Sequence, residues 1–212
     1  MLKTDSEQVC LKIEMDKEFE IVIANKSHLQ YVDIILNTIE EAAKNRGTGI
    51  AKRSPEYLAQ KILEGKAILA LDGENFAGFC YIETWGNKQF VANSGLIVVE
   101  AYREHGLAKQ IKKKAFKLSR RKFPEAKLFG LTTSAAVMKI NYELGYRPVT
   151  YAELTDDEAF WKGCQSCVNY PILAEKNRRF CMCTAMLYDP KEHKKTSECE
   201  SRPFRVPHQK NK

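Results

Sequence analysis

Arg103, Gly106 and Ala108 stand at RxxGxA spacing in the run REHGLA, between the apolar stretch GLIVV and a segment crowded with lysine. A loop that leads into a helix offers unpaired N–H groups and the positive end of the helix dipole, and a glycine in it lets the backbone close on a ligand. Such a loop suits a phosphate or pyrophosphate. A second set of residues suits a metal. Cys164 and Cys167 form CxxC, and Cys181 and Cys183 form CxC after 13 intervening residues. Four thiolates so spaced match a tetrahedral structural zinc. The alternative is that Cys181 and Cys183, two apart on an expected final strand, share one face and simply pack there. A third set, Arg46, Lys52 and Arg53 in NRGTGIAKRS, is basic. Guanidinium forks match carboxylates, although a solvated basic loop is the plainer reading.

These residues need a scaffold, and hydrophobic periodicity outlines one. EFEIVIA (18–24) is rich in β-formers, and Ser27 with Gln30 has the form of a capping box before an amphipathic helix over 28–44. Ser54 and Pro55 open a second helix that Gly65 closes. KAILALD (66–72), FAGFCYIETW (76–85) and QFVANSGLIVV (89–99) are expected as strands of an antiparallel meander. Gly95, inside the third of them, suggests a bulge or a close approach by a ligand. A helix over 106–122 turns Leu107, Ile111, Ala115 and Leu118 inward. AKLFGLTT is a buried strand, SAAVMKINYELGY a helix closed by Gly145, RPVTYAEL a strand, and RRFCMCTAMLYDP the last strand.

The chain has 212 residues, 29% charged and 44% hydrophobic, which fits one domain with at most an appendage. We expect that domain over 1–190, with a cysteine-containing insertion at 155–178 and a polar, basic tail at 191–212. The net charge of +7 favours an anionic ligand without choosing one. No acid stands between His105 and Pro124. That run is expected as a solvated helix face rather than a track for nucleic acid, with Lys109, one turn from the loop, able to reach a phosphate. No secretory h-region or membrane-length apolar run is apparent, so no membrane contact is expected and the expected compartment is the cytoplasm, where cysteines stay reduced. Composition leaves a homodimer open.

The RxxGxA loop, the glycine one strand earlier and this element order together resemble the GNAT family of acyl-CoA-dependent N-acyltransferases, over roughly residues 18–190. REHGLA matches the family's Q/RxxGxG/A motif at Arg103, Gly106 and Ala108. The resemblance implies an α/β (α+β) fold: a mixed, mostly antiparallel twisted sheet flanked by helices, here with the cysteine insertion between the last two strands. It implies that the N–H groups of Glu104, His105, Gly106, Leu107 and Ala108 take the pyrophosphate of CoA, and that Leu96, Ile97 and Val98 face the pantetheine arm.

Amide formation from a thioester requires a neutral amine, a stabilised oxyanion and a proton for the departing thiolate. The family takes that proton from a tyrosine near the end of a helix, and NYELGY puts Tyr142 there. No acid lies in VANSG where many members carry a glutamate. Glu83, one strand earlier, is the alternative base, acting through water, and Asn93 and Ser94 can orient the amine or a water. In this fold the link between the first two helices borders the acceptor, which gives Arg46, Lys52 and Arg53 a carboxylate to bind. TGIAKRSPEYL, VANSGLIV, GLAKQIKKKAF and ELGYRPVTYAEL look most like single-domain N-acylglutamate synthases of arginine biosynthesis. That likeness implies glutamate as acceptor and acetyl-CoA or succinyl-CoA as donor. A protein amine or another small amine as acceptor, and a non-catalytic acyl-CoA sensor or zinc-stabilised interaction module, remain the alternatives.

Overall fold

The structure, a computed structural model, describes residues 18–46 and 53–193. Its first strand, β1 (Glu20–Ile23), leads into a 3-10 turn over Lys26–Tyr31 and helix α1 (Val32–Arg46). The cap is Asn25 rather than Ser27: the Asn25 side chain accepts from the Ser27 N–H at 2.9 Å, and His28 Nδ1 accepts from the Asn25 N–H at 3.1 Å. Asparagine at least equals serine as a cap, and the box closes two residues early. Ser54 caps α2 (Pro55–Leu63) through the Tyr57 N–H at 3.2 Å.

A seven-stranded sheet follows, in the order β1-β2-β3-β4-β5-β7-β6, with β2 at Ala67–Asp72, β3 at Asn75–Trp85, β4 at Phe90–Val98, β5 at Lys127–Thr132, β6 at Arg147–Val149 and β7 at Thr184–Tyr188. Neighbours are antiparallel except β4 and β5. This is the expected mixed, mostly antiparallel sheet. Helix α3 (Leu107–Lys122) and helix α4 (Ala135–Glu143) connect β4 to β5 and β5 to β6. The α3 stripe of Leu107, Ile111, Ala115 and Leu118 is buried against Ile68, Ala70, Cys80, Ile82 and Val98, at about 1.5–3 kcal/mol for each large apolar side chain. On the other face, Ile35, Ile39, Leu58 and Ile62 of α1 and α2 pack on Leu69, Phe79, Tyr81 and Ile97.

Two expected strands are shorter than the sequence suggests. β6 stops at Val149 because Thr150 and Glu153 form a capping box on a 3-10 turn over Tyr151–Glu153. β7 starts at Thr184, so Cys181 and Cys183 precede it. Between the two strands, α5 (Glu158–Lys162), a 3-10 turn over Gly163–Ser166 and α6 (Tyr170–Glu175) bury Trp161 and Leu173 against Phe129, Ala185 and Leu187. After β7 a helical turn covers 190–193; there Glu192 pairs with Arg147 at 3.0 Å and His193 stacks on Tyr188 at 4.2 Å between ring centroids. Residues 194–212, which hold most of the expected tail, lie outside the described residues.

Candidate functional site

Gly106 is the N-cap of α3, in the left-handed region at φ 70, with no side-chain cap and no acid in the first turn. Among the described residues no side chain answers the first N–H groups of α3 or the positive end of its dipole. Glu104 is also left-handed, at φ 70. Alternation of hand at 104–106 is the backbone geometry of an anion-binding nest. A Cβ built on Gly106 would meet nothing within 4 Å, so the concavity is open to a ligand. Arg103 leans back along the strand end, its Nε donating to the Val98 carbonyl at 3.4 Å. Lys109 pairs with Glu143 at 2.7 Å, which ties the first turn of α3 to the end of α4. Leu107 is buried, whereas His105 is exposed beside Phe19.

The strand before this loop carries the bulge that Gly95 suggests. Phe79 pairs with Ile97 and Tyr81 with Ser94, so Gly95 and Leu96 together oppose Cys80. Gly95 has φ 65, and a Cβ there would come within 2.8 Å of the Tyr81 ring. β4 pairs with β5 only through Phe90, Val91 and Ala92; beyond Ala92 the two parallel strands part. The parting opens a cavity of about 580 Å³ lined by both faces of the sheet: Tyr57, Tyr81 and Glu83 on one side, Lys112, Val137 and Asn141 on the other. Ser94 and Leu96 line it, while Ile97 and Val98 turn their side chains into the core.

On the α2 side the polar groups are tightly engaged. Glu83 is buried and ion-paired with Lys61. The Tyr57 hydroxyl donates to Glu83 Oε2 at 2.8 Å and the Thr84 N–H to Oε1 at 3.0 Å. Burial and the neighbouring Tyr81 and Glu83 push the Tyr57 hydroxyl far above its usual range, so it remains a proton donor to the carboxylate. Arg53 reaches the Tyr81 hydroxyl at 2.5 Å and lines the cavity. The Arg46 side chain and Lys52 lie outside the described residues.

Asn93 faces the α3 side, where both ends of its amide are used. Its Nδ2 donates to Ser119 Oγ at 2.9 Å, and its Oδ1 accepts from the Tyr146 hydroxyl at 3.1 Å. Tyr142 is 73% exposed and does not line the cavity. Its neighbour Asn141 does, at 1% exposure. One residue is about 100° of helix rotation, so the step from 142 to 141 decides which side chain points inward. Asn141 Oδ1 and Trp85 Nε1, both on cavity-lining residues, are buried without a hydrogen-bond partner among the described residues. An acceptor and a donor so placed are matched by a ligand.

Lys112 is a cavity residue that the sequence reading places on the solvated face. It is 2% exposed. Burial lowers its ammonium to about 8, opposed by the nearby Cys80. The signal was the run of small residues Ala108, Ala115 and Ser119 at helical spacing around it, which widens the inward stripe of α3 enough to take a lysine.

Cys164, Cys167 and Cys183 line the cavity, and Cys181 comes within 4.0 Å of the Asn169 carbonyl. Burial first, and neighbouring thiols second, push Cys164 up to about 11 and Cys183 up to about 12. Among the described residues no three His, Cys, Asp or Glu side chains are placed so as to hold a metal ion. Nor does any helix among them have the length and apolarity to cross a membrane.

No family model matches the chain, and no curated protein does. Solved structures match in fold. N-acetylglutamate synthase from Neisseria gonorrhoeae, complexed with coenzyme A and N-acetyl-glutamate, aligns at a TM-score of 0.57 and 15% identity, covering 81% of this chain and 35% of that one. The chain thus spans about a third of that protein's length. The Rv2747 protein of Mycobacterium tuberculosis, in complex with CoA, aligns at 0.58 and 14%, covering 80% of this chain and 98% of that one. An acetyltransferase of the GNAT family from Staphylococcus aureus aligns at 0.54 and 17%, covering 66% and 91%. With the parted β4 and β5, the bulge at Gly95 and the uncapped loop into α3, these alignments show that the chain has the GNAT acetyltransferase fold.

Proposed function

We propose that this protein is an N-acyltransferase that moves an acetyl or succinyl group from CoA to the α-amine of a small acidic amino acid, glutamate being the leading acceptor. The observation that carries the reading is the cavity running through the sheet where β4 and β5 part. Leu96 and Lys112 line it on the α3 side, and Arg53 and Glu83 line it on the other. The pyrophosphate sits on the N–H groups of Glu104–Ala108, and the β5-facing backbone of Leu96–Val98 pairs with the pantetheine arm. Asn141 Oδ1 is available to an amide N–H of that arm. The thioester then meets the amine inside the sheet, sheltered from water.

The acceptor side favours a small molecule. Phe160, Cys164 and Cys167 from the insertion line the cavity, which leaves less room for a protein substrate than for a small amine. Arg53 supplies a fork for a carboxylate and Trp85 Nε1 a buried donor. Among the described residues Glu83 is the one carboxylate that lines the cavity, and it receives the proton of the amine directly or through water. The test is release of CoA thiol from acetyl-CoA and from succinyl-CoA with glutamate, aspartate, ornithine and lysine each offered as acceptor. Turnover with the acidic amino acids and not with ornithine or lysine supports the reading. Turnover with a basic acceptor, or with none, removes the acidic-acceptor assignment.

A further inference from the structure

Breaking the C–S bond of the thioester leaves a thiolate that needs a proton, and the structure offers few donors for it. Tyr142 points to solvent. The Tyr57 hydroxyl is committed to Glu83 and the Tyr146 hydroxyl to Asn93. We propose that Lys112 is the acid that protonates the departing thiolate of CoA.

This rests on the acyl-transfer reading above. Lys112 is five residues, about 7.5 Å of helix rise, beyond Leu107 at the mouth of the anion loop. A pantetheine arm that starts at the loop and follows β4 runs the same way. Lys112 lines the cavity together with Ser94, Gly95 and Leu96, the stretch where the thioester lies in this reading. The groups packed around it are the Cys80 thiol of β3 and the Tyr146 ring ahead of β6; the ammonium lies 5.4 Å from the centre of that ring. Burial pushes Cys80 up to about 11 and Tyr146 far above its usual range, so at neutral pH both are uncharged. No carboxylate among the described residues pairs with Lys112. A buried cation with no anion of its own is balanced when a bound group becomes negative, and the thiolate does so during the reaction.

The step balances without redox change. The amine nitrogen bonds to the carbonyl carbon, the C–S bond breaks with its electron pair going to sulfur, and an Nζ proton passes to sulfur. CoA leaves as the thiol. Neutral Lys112 regains its proton from solvent, and the proton of the acceptor nitrogen leaves through Glu83 or water. With its ammonium lowered to about 8, Lys112 is matched to a thiol far better than an ordinary lysine would be.

The test compares wild type with Lys112→Met and Lys112→Gln. The ultraviolet absorbance of the thiolate is titrated in the complex with CoA, and the complex with desulfo-CoA is subtracted to isolate that one thiol. We expect the bound thiol to ionise about 1–3 pH units lower in wild type than in Lys112→Met. Turnover should fall by about 10²–10⁴-fold in both variants while CoA affinity stays within a few-fold. If both proteins bind CoA and the thiol midpoint is the same, Lys112 is not its acid, although the acyl-transfer reading stands. If wild type does not bind CoA, the reading beneath the inference fails and the inference fails with it.

Discussion

Replacing Lys112 by methionine should stabilise the resting protein, and the gain should depend on pH in a set direction. The folded state lowers the ammonium from 10.5 to about 8, and at 1.36 kcal/mol per pH unit this is a cost of about 3 kcal/mol whenever both states are protonated. Below pH 8 the full cost is present. Between pH 8 and 10.5 the unfolded chain holds a proton that the folded chain has lost, so wild-type stability rises with pH through that window. Above it the cost is gone. Methionine fills nearly the same volume without a charge, so Lys112→Met should lead wild type by about 3 kcal/mol at pH 7, or about 6–12 °C in Tm. At pH 10 most of that lead should be gone. Urea unfolding of both proteins without ligand, at pH 7 and pH 10, measures it. A difference that is the same at both pH values would refute the claim that a buried charge is the cause. If the cost is real, the protein carries it for a group that its fold does not need, which is the usual sign of function.

Other substitutions probe separate parts of the site. Lys61→Met should cost about 3–5 kcal/mol by leaving Glu83 buried without its cation, and adding Glu83→Leu should recover most of it; equal unfolding midpoints for the single and double variants would contradict this. Gly95→Ala forces a Cβ to 2.8 Å from the Tyr81 ring at φ 65, so unfolding should show a loss of about 1–3 kcal/mol. Cys164 and Cys183, raised to about 11 and 12, should react with iodoacetamide at pH 8 at least about tenfold more slowly than free cysteine, as mass spectrometry of the peptides would show.

How much of this was legible in the sequence depended on how local its cause was. The loop at 103–108 could be read because a glycine, a helix start and a flanking strand are neighbours in the chain. Gly95 could be read because a glycine within a strand has few uses other than a bulge. Orientation around a helix was harder. Tyr142 and Asn141 differ by one residue, and which of them faces inward is set by the pitch of α4 against β7, visible only once the sheet is assembled. Lys112 looked solvated because lysine is rarely buried, yet Ala108, Ala115 and Ser119 leave room for it between α3 and the sheet. The polar identity of Glu83 was plain, but its partner Lys61 lies 22 positions earlier on another element. Cys181 and Cys183 looked like strand residues because apolar runs carry no mark of where pairing begins.

In the proposed function the loop into α3 and the parted strands hold CoA. Isothermal titration of CoA into wild type and into Gly106→Glu tests it most directly, since the variant places a carboxylate where the pyrophosphate would rest and strains a left-handed residue. We expect one CoA per chain for wild type and an affinity at least about tenfold weaker for the variant. Equal affinity in the two proteins, or no binding to wild type, would contradict it.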